Sequence, residues 1–199
     1  MKTIGVLDIQ GSVEEHFGCL EKCGVRAVLV KKSSDLKGIS GLIIPGGEST
    51  TIGKLLKRFG LFEEIIKAYR NGLAIWGTCA GAILLAKKIT EDNGKELVKN
   101  FGLLDVEISR NAYGRQIDSF ETEIKFDFGE KNFRKIYKKI PAVFIRAPKI
   151  LSAGKNVKVL AKYENEIVAA VSGKILVTTF HPEMTDDLSV HEFFIEMCK

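Results

Sequence analysis

The chain holds no apolar run approaching the length of a membrane span, so a helical transmembrane reading is excluded. Its opening residues, Met1-Lys2-Thr3-Ile4-Gly5-Val6-Leu7, have too short an apolar core for a secretion signal and read as a first strand. Cysteine is scarce. The four residues, at 19, 23, 79 and 198, form no disulfide framework. Without a secretion signal, the expectation is reduced thiols in the cytoplasm. Cys19 and Cys23 are four apart and share a helix face. Two thiols without further ligands nearby favour core or boundary packing over a metal site. No metal and no cofactor are expected. The net charge is +5, but lysine and arginine are interleaved with acids, and no basic block carries aromatics between its charges. That is a solvated surface rather than a nucleic-acid face.

What is present is ordinary globular material: 199 residues, 45% hydrophobic and 28% charged. This suits one domain, residues 1–199, with a sizeable core. Thr3 to Ile9 reads as a strand buried on both faces. Ser12 with Glu15 forms a capping box for a helix to about Cys23. His16 lies on that helix as a surface or boundary histidine. Strands follow at Val25 to Val30 and Gly41 to Ile44, and a helix from about Thr51 to Arg70, broken near Gly60. Further short strands recur at 103–109, 117–126, 142–146, 157–163, 166–171 and 174–179, with Thr90 to Asn100 a polar loop. Asn165 suits a tight hairpin turn. Ser189 and Glu192 form a second capping box, opening a final helix that carries His191, to which no chemistry is assigned. The alternation of strand and helix in the first half predicts an α/β fold with a doubly wound parallel sheet.

Leu73 to Leu85 carries the sharpest signal. An apolar run long enough for a buried strand leads into Gly77-Thr78-Cys79-Ala80-Gly81, and residues suited to a buried helix, to about Lys88, follow. G-x-C-x-G is the nucleophile-elbow pattern with cysteine in the serine place. A sharp strand-to-helix turn crowds the positions two before and two after its apex, so glycine suits them. The apex thiol sits at a helix start, where unpaired N–H groups stabilise a thiolate. The N–H of Ala80 can bind an oxyanion. A buried structural cysteine between loop glycines is the alternative.

Other signals stand at strand ends. Pro45-Gly46-Gly47-Glu48-Ser49-Thr50-Thr51 follows the third strand. Its glycines let the backbone approach a ligand, and Gly47 can add a second oxyanion donor, although Gly-Gly also occurs in plain turns. In His181-Pro182-Glu183, proline biases His181 to extended chain, where residues two apart face the same way. His181 and Glu183 can then meet as an imidazole base and its orienting carboxylate. Arg110-Asn111-Ala112-Tyr113-Gly114-Arg115-Gln116 and Phe144-Ile145-Arg146-Ala147-Pro148 are oddly polar, either as ligand-binding segments or as a surface loop and a salt-bridged arginine. Nucleophile, oxyanion donors and a base–orienter pair together suit acyl transfer.

These residues resemble the triad of class I glutamine amidotransferases. Five stretches narrow the likeness: Gly5-Val6-Leu7 through Gln10-Gly11, Pro45 to Thr51, Arg110 to Gln116, Ser119-Phe120-Glu121 and Phe144 to Pro148. Together they are similar to the glutaminase subunits of pyridoxal 5′-phosphate synthases, over essentially the whole chain. The resemblance implies a three-layer, mixed, mainly parallel sheet with helices on both faces. It implies hydrolysis of L-glutamine to glutamate and ammonia, with ammonia passed to a (β/α)₈-barrel synthase partner of the PdxS type. By the same matching Cys79 is the nucleophile, His181 the base and Glu183 its orienter. Gly46, Gly47, Glu48, Arg110, Ile145 and Arg146 form the glutamine site, and Gln10 lies near the oxyanion loop and the partner-facing side. Two positions depart from the pattern. Asp8 stands where a small or apolar residue is expected, and Met184 stands where leucine is usual, a nearly volume-neutral change. Other readings are a glutaminase serving imidazole glycerol phosphate synthase, an idle partner-binding member of the fold, and a reactive-cysteine stress protein. The two arginine stretches argue against the first, an intact Cys79, His181 and Glu183 against the second, and the His-Pro-Glu run against the third.

Overall fold

A computed structural model of the chain describes residues 2–90, 99–110, 119–131 and 134–198. The first half runs β1 (Thr3–Leu7), α1 (Val13–Lys22), β2 (Arg26–Val30), β3 (Gly41–Ile44), α2 (Ser49–Arg58), α3 (Leu61–Arg70), β4 (Ala74–Thr78) and α4 (Ala80–Leu85). The second half runs β5 (Ala86–Thr90), β6 (Leu104–Ser109), β7 (Ser119–Lys131), β8 (Arg134–Ile145), β9 (Lys149–Ala153), β10 (Lys158–Tyr163), β11 (Glu166–Ser172), β12 (Ile175–Thr178) and α5 (Ser189–Met197).

Five adjacent strands, β2-β1-β3-β4-β12, are parallel. Beyond β12 the sheet continues antiparallel through β11, β10, β7 and β8. A side branch of β5, β6 and β9 joins it where Ile150 pairs with Ile167. This is the α/β architecture with helices on both faces, and the period of two along each strand is what builds it. Leu42, Ile44, Ile75, Ile175 and Val177 face one side, packing with Ile52 and Leu56 of α2, Leu61 and Ile65 of α3, and Leu84 of α4. Ile43, Ala74, Trp76 and Leu176 face the other, against Val13 and Leu20 of α1 and Val190 and Phe194 of α5. Strands so enclosed must be apolar throughout, as β3, β4 and β12 are apart from Thr78 and Thr178. Each buried branched side chain contributes about 1.5–3 kcal/mol against the entropy of ordering it.

Several local expectations are corrected. Strand β1 stops at Leu7, not Ile9. Ser12 makes no side-chain cap on α1, because its backbone is committed elsewhere: its N–H donates to the Gly46 carbonyl at 3.1 Å. Ser189 lies inside α5 rather than capping it, and Asp187 Oδ1 accepts the Ser189 N–H instead, at 2.8 Å. The helix after the elbow ends at Leu85, since Lys88, Ile89 and Thr90 pair in parallel with Glu107, Ile108 and Ser109. Strand β9 was not anticipated, and β8 reaches back to Arg134 because long-range pairing with β7 outweighs its polar composition. The Glu164–Asn165 turn joins β10 to β11 with positive φ at both residues, 47° and 70°, the geometry of a two-residue hairpin. The Thr90–Asn100 loop lies, for residues 91–98, outside the described residues, as do residues 117 and 118 of the expected 117–126 strand. Among the described residues no helix is long and apolar enough to cross a membrane.

Candidate active site

The carboxyl ends of β1, β3, β4 and β12 converge, and the chemically distinctive residues stand there. Cys79 follows β4 directly and is the N-cap of α4, with φ 46° and ψ −101°. A β-substituted residue in that region is strained, and here the packing around the turn imposes it. A Cβ on Gly77 would strike the Gly81 carbonyl at 2.5 Å, and one on Gly81 would strike the Ile44 carbonyl oxygen. The helix start leaves the Ala80 N–H without an intrahelical partner, beside the thiol. Cys79 Sγ itself lies 3.9 Å from the Ile145 carbonyl.

His181 comes from the end of β12, and its own N–H donates to the Val143 carbonyl at 2.8 Å. The pair with Glu183 forms, but not through extended chain. Pro182–Met184 is a turn of 3-10 helix, with proline at its first position, where its missing N–H costs nothing. That turn brings His181 Nδ1 to 2.7 Å from Glu183 Oε1. Both side chains are buried. Burial opposes the imidazolium, yet hydrogen bonds to Cys79 and Glu183 and the charges of both outweigh it and lift His181 to about 10. Burial likewise opposes the Glu183 carboxylate, but His16 and His181 hold it at about 2. An ionised Glu183 accepts from Nδ1–H, which leaves Nε2 for the thiol.

His16 and His191 were not assigned to this neighbourhood, and the structure puts both in it. His16 is fully buried, correcting the surface reading. Its Nε2 lies 3.2 Å from Thr78 Oγ1 and 3.4 Å from Glu183 Oε2, and its Nδ1 lies 3.0 Å from His191 Nε2. Trp76 packs edge-on against both rings, with centroids 5.3 and 4.8 Å away. A signal existed. Val13, His16 and Leu20 recur at the spacing of one helix face, and that face is buried. Cys19, on the same face, is buried against the Glu183 carbonyl, and burial pushes its thiol up.

The Pro45–Thr51 loop closes over these groups. A Cβ on Gly46 would run into the His181 ring, 3.0 Å from Nδ1 and closer to Cε1, and stand 3.4 Å from Cys79 Cβ. Gln10 lies against Gly47, and its Oε1 accepts the Glu48 N–H at 2.9 Å. Glu48 caps α2, accepting from the N–H groups of Thr50 at 2.9 Å and Thr51 at 2.7 Å and from the Thr51 hydroxyl at 2.6 Å. Partial burial opposes its charge, but these donors hold the carboxyl at about 2. Arg110 reaches the same carboxylate at 3.3 Å and donates to Thr50 Oγ1 at 3.0 Å. Asn111 to Gln116 lie outside the described residues. Ile145 and Arg146 are exposed beside Cys79, and Arg146 has φ 45°, a second strained non-glycine residue at the site. Asp8 is paired with Lys31 at 3.0 Å. Met184 is largely exposed.

The arrangement can therefore deliver a thiol beside an imidazole whose other nitrogen is held by a buried carboxylate, under a glycine loop and beside helix-start N–H groups. Among the described residues no group of three or more His, Cys, Asp or Glu side chains is arranged to hold a metal ion. The profile of the SNO glutamine amidotransferase family matches residues 6–199. The pyridoxal 5′-phosphate synthase subunit PdxT of Desulforamulus reducens is 50% identical over 197 residues, covering 98% of this chain and 99% of that protein. The subunit of the same name from Thermotoga maritima is 47% identical over 197 residues, again covering 98% of this chain and 99% of that one. A crystal structure described as a glutamine amidotransferase superposes with a TM-score of 0.85 at 40% identity, covering 98% of this chain and 97% of its own.

Proposed function

The chain belongs to the SNO glutamine amidotransferase family, and on that premise we propose that it is the glutaminase subunit of a pyridoxal 5′-phosphate synthase, hydrolysing L-glutamine to L-glutamate and ammonia. It acts as a single domain in the cytoplasm and hands ammonia to a (β/α)₈-barrel synthase subunit of the PdxS type. The observation that supports the chemistry best is the buried line from Cys79 through His181 to Glu183, with the 2.7 Å bond fixing which imidazole nitrogen faces the thiol.

In this mechanism His181, lifted to about 10, holds the Cys79 proton on Nε2 and leaves the sulfur a thiolate, and Glu183 stabilises that imidazolium. The thiolate attacks the side-chain amide carbon of glutamine. The oxyanion accepts hydrogen bonds from the N–H groups of Ala80 and Gly47, and the imidazolium protonates the leaving nitrogen, releasing ammonia and a γ-glutamyl thioester. His181 then takes a proton from water, the hydroxide attacks the thioester, and collapse expels the Cys79 sulfur as thiolate beside the imidazolium as glutamate leaves. The substrate is a zwitterion. Its carboxylate calls for an arginine and its ammonium for an acceptor, and Glu48, Arg110 and Arg146 are the charged residues of the glutamine site. Gln10, bonded to the loop that carries Gly47, couples that donor to the partner-facing side. Glutamate release is measured from L-glutamine with and without the barrel subunit, beside Cys79→Ala. Release should be low for the free subunit, rise on adding the barrel, and vanish in the variant. Activity surviving in Cys79→Ala would sink the mechanism, and stimulation by a different synthase would sink the pathway assignment.

A further inference from the structure

The chain has three histidines, and all three lie in one buried line that ends at a single carboxylate. Only His181 enters the chemistry above. Glu183 directs Oε1 at His181, and its Oε2 is buried with no hydrogen-bond partner among the described residues. The N–H group that can serve Oε2 is Nε2 of His16, which sits between that oxygen at 3.4 Å and Thr78 Oγ1 at 3.2 Å. We infer that His16, held by His191, is a positioning residue for the reaction: its Nε2–H anchors the free oxygen of Glu183 and so keeps the carboxylate aimed at His181.

The proton placement follows from electrostatics. A bare Nε2 lone pair facing an ionised carboxylate would be repelled, so His16 carries its proton on Nε2. Its Nδ1 is then an acceptor, and His191 must donate from Nε2 across the 3.0 Å contact. That leaves the lone pair of His191 Nδ1 facing no donor, and that nitrogen is buried without a partner. The 3.0 Å contact and the unpartnered Nδ1 fit one arrangement, two neutral imidazoles, with the His16 Nε2–H lying between Thr78 Oγ1 and Glu183 Oε2. Burial first of all keeps both rings neutral. It outweighs the pull of Glu183 on His16, and His191 is lowered to about 3. Trp76 packs edge-on against both rings. A second cation there would compete with His181 for Glu183. A neutral donor holds the carboxylate without weakening its attraction for the catalytic imidazole.

This inference rests on the glutaminase reading, and the test separates the two. Steady-state glutamate release is measured in the complex with the barrel subunit for wild type, Cys79→Ala, His16→Leu, His16→Gln and His191→Phe. His16→Leu should lower kcat about tenfold or more with KM changed less than about twofold, since a buried acceptor loses its donor while the substrate contacts stand. Glutamine places an amide N–H near the old Nε2 position and should recover most of kcat. His191→Phe keeps the contact with Trp76 but removes the donor, and should cost less, about threefold. In wild type, ¹⁵N spectra of the imidazoles should show His16 and His191 as neutral Nε2–H tautomers. Unchanged kcat in His16→Leu, a loss that glutamine does not recover, or a charged or Nδ1–H His16 would each overturn the inference. Wild type with no Cys79-dependent glutamate release would overturn the glutaminase reading instead, and the tautomer measurement would still judge the line of histidines.

Discussion

Replacing Gly46 with alanine should cut turnover about 100-fold while leaving the fold in place. The methyl would meet the His181 ring, 3.0 Å from Nδ1 and nearer still to Cε1, with Cys79 Cβ 3.4 Å away. Ordinary carbon contacts stand at about 3.5–4.0 Å, so the ring must retreat by on the order of 1 Å. It has little room to do so. His181 is buried, its N–H is tied to Val143 at 2.8 Å, and its Nδ1 is tied to Glu183 at 2.7 Å. Yielding on the side-chain bond moves Nε2 away from the thiol. Yielding in the loop drags Gly47 and its oxyanion N–H off position. A displacement of that size costs about 100-fold in rate. The overpacking should cost about 1–3 kcal/mol of stability, a modest drop in Tm. The assay is glutamate release by the complex, with thermal unfolding as the control for folding. Turnover of Gly46→Ala within about threefold of wild type would refute the packing argument, because the loop would then have to stand farther from the imidazole than it does.

Further outcomes follow from the charges. Glu183 is held well below its ordinary carboxylate range in the folded state, at about 2, so it binds its proton less readily folded than unfolded. Its stabilising contribution is therefore fully present above about pH 4.5 and lost as pH falls through about 2, on the order of 3 kcal/mol. Denaturant unfolding across that range should show a steeper acid loss for wild type than for Glu183→Gln, and parallel curves would count against an ionised Glu183. Arg110→Ala removes a cation from Glu48 and a donor from Thr50 Oγ1. It should raise KM for glutamine about tenfold or more with a smaller change in kcat, read from steady-state kinetics. An unchanged KM would remove Arg110 from the glutamine site.

Much of the architecture is legible in the chain because its signals are local. The apolar runs at Leu42–Ile44, Ala74–Trp76 and Ile175–Val177 mark strands enclosed on both faces, and the structure buries them so. Gly77 and Gly81 bracket the turn they make possible. Errors arose where a local rule met a tertiary competitor. Ser12 carries the letters of a cap, but its backbone is bound to Gly46. Ala86–Lys88 continues the helix on paper, yet pairing with β6 draws Ala86–Thr90 into a strand. His181 and Glu183 meet as proposed for residues two apart, but through a 3-10 turn rather than extended chain.

The sequence alone determined which residues could carry chemistry at the strand ends, because a thiol between two glycines and a His-Pro-Glu run are contiguous patterns whose geometry the backbone dictates. It determined the α/β class as well, because strand and helix alternate along the first half and the strand runs are apolar enough to be buried on both faces. Only the tertiary structure decided what supports those groups. His16 and His191 are 175 positions apart, and Arg110 and Glu48 are 62 apart. Their contacts exist because α1, α5, β4 and β12 pack in one order around the sheet. No local pattern encodes that order, and a histidine on a helix face reads the same whether the element above it is water or a buried carboxylate.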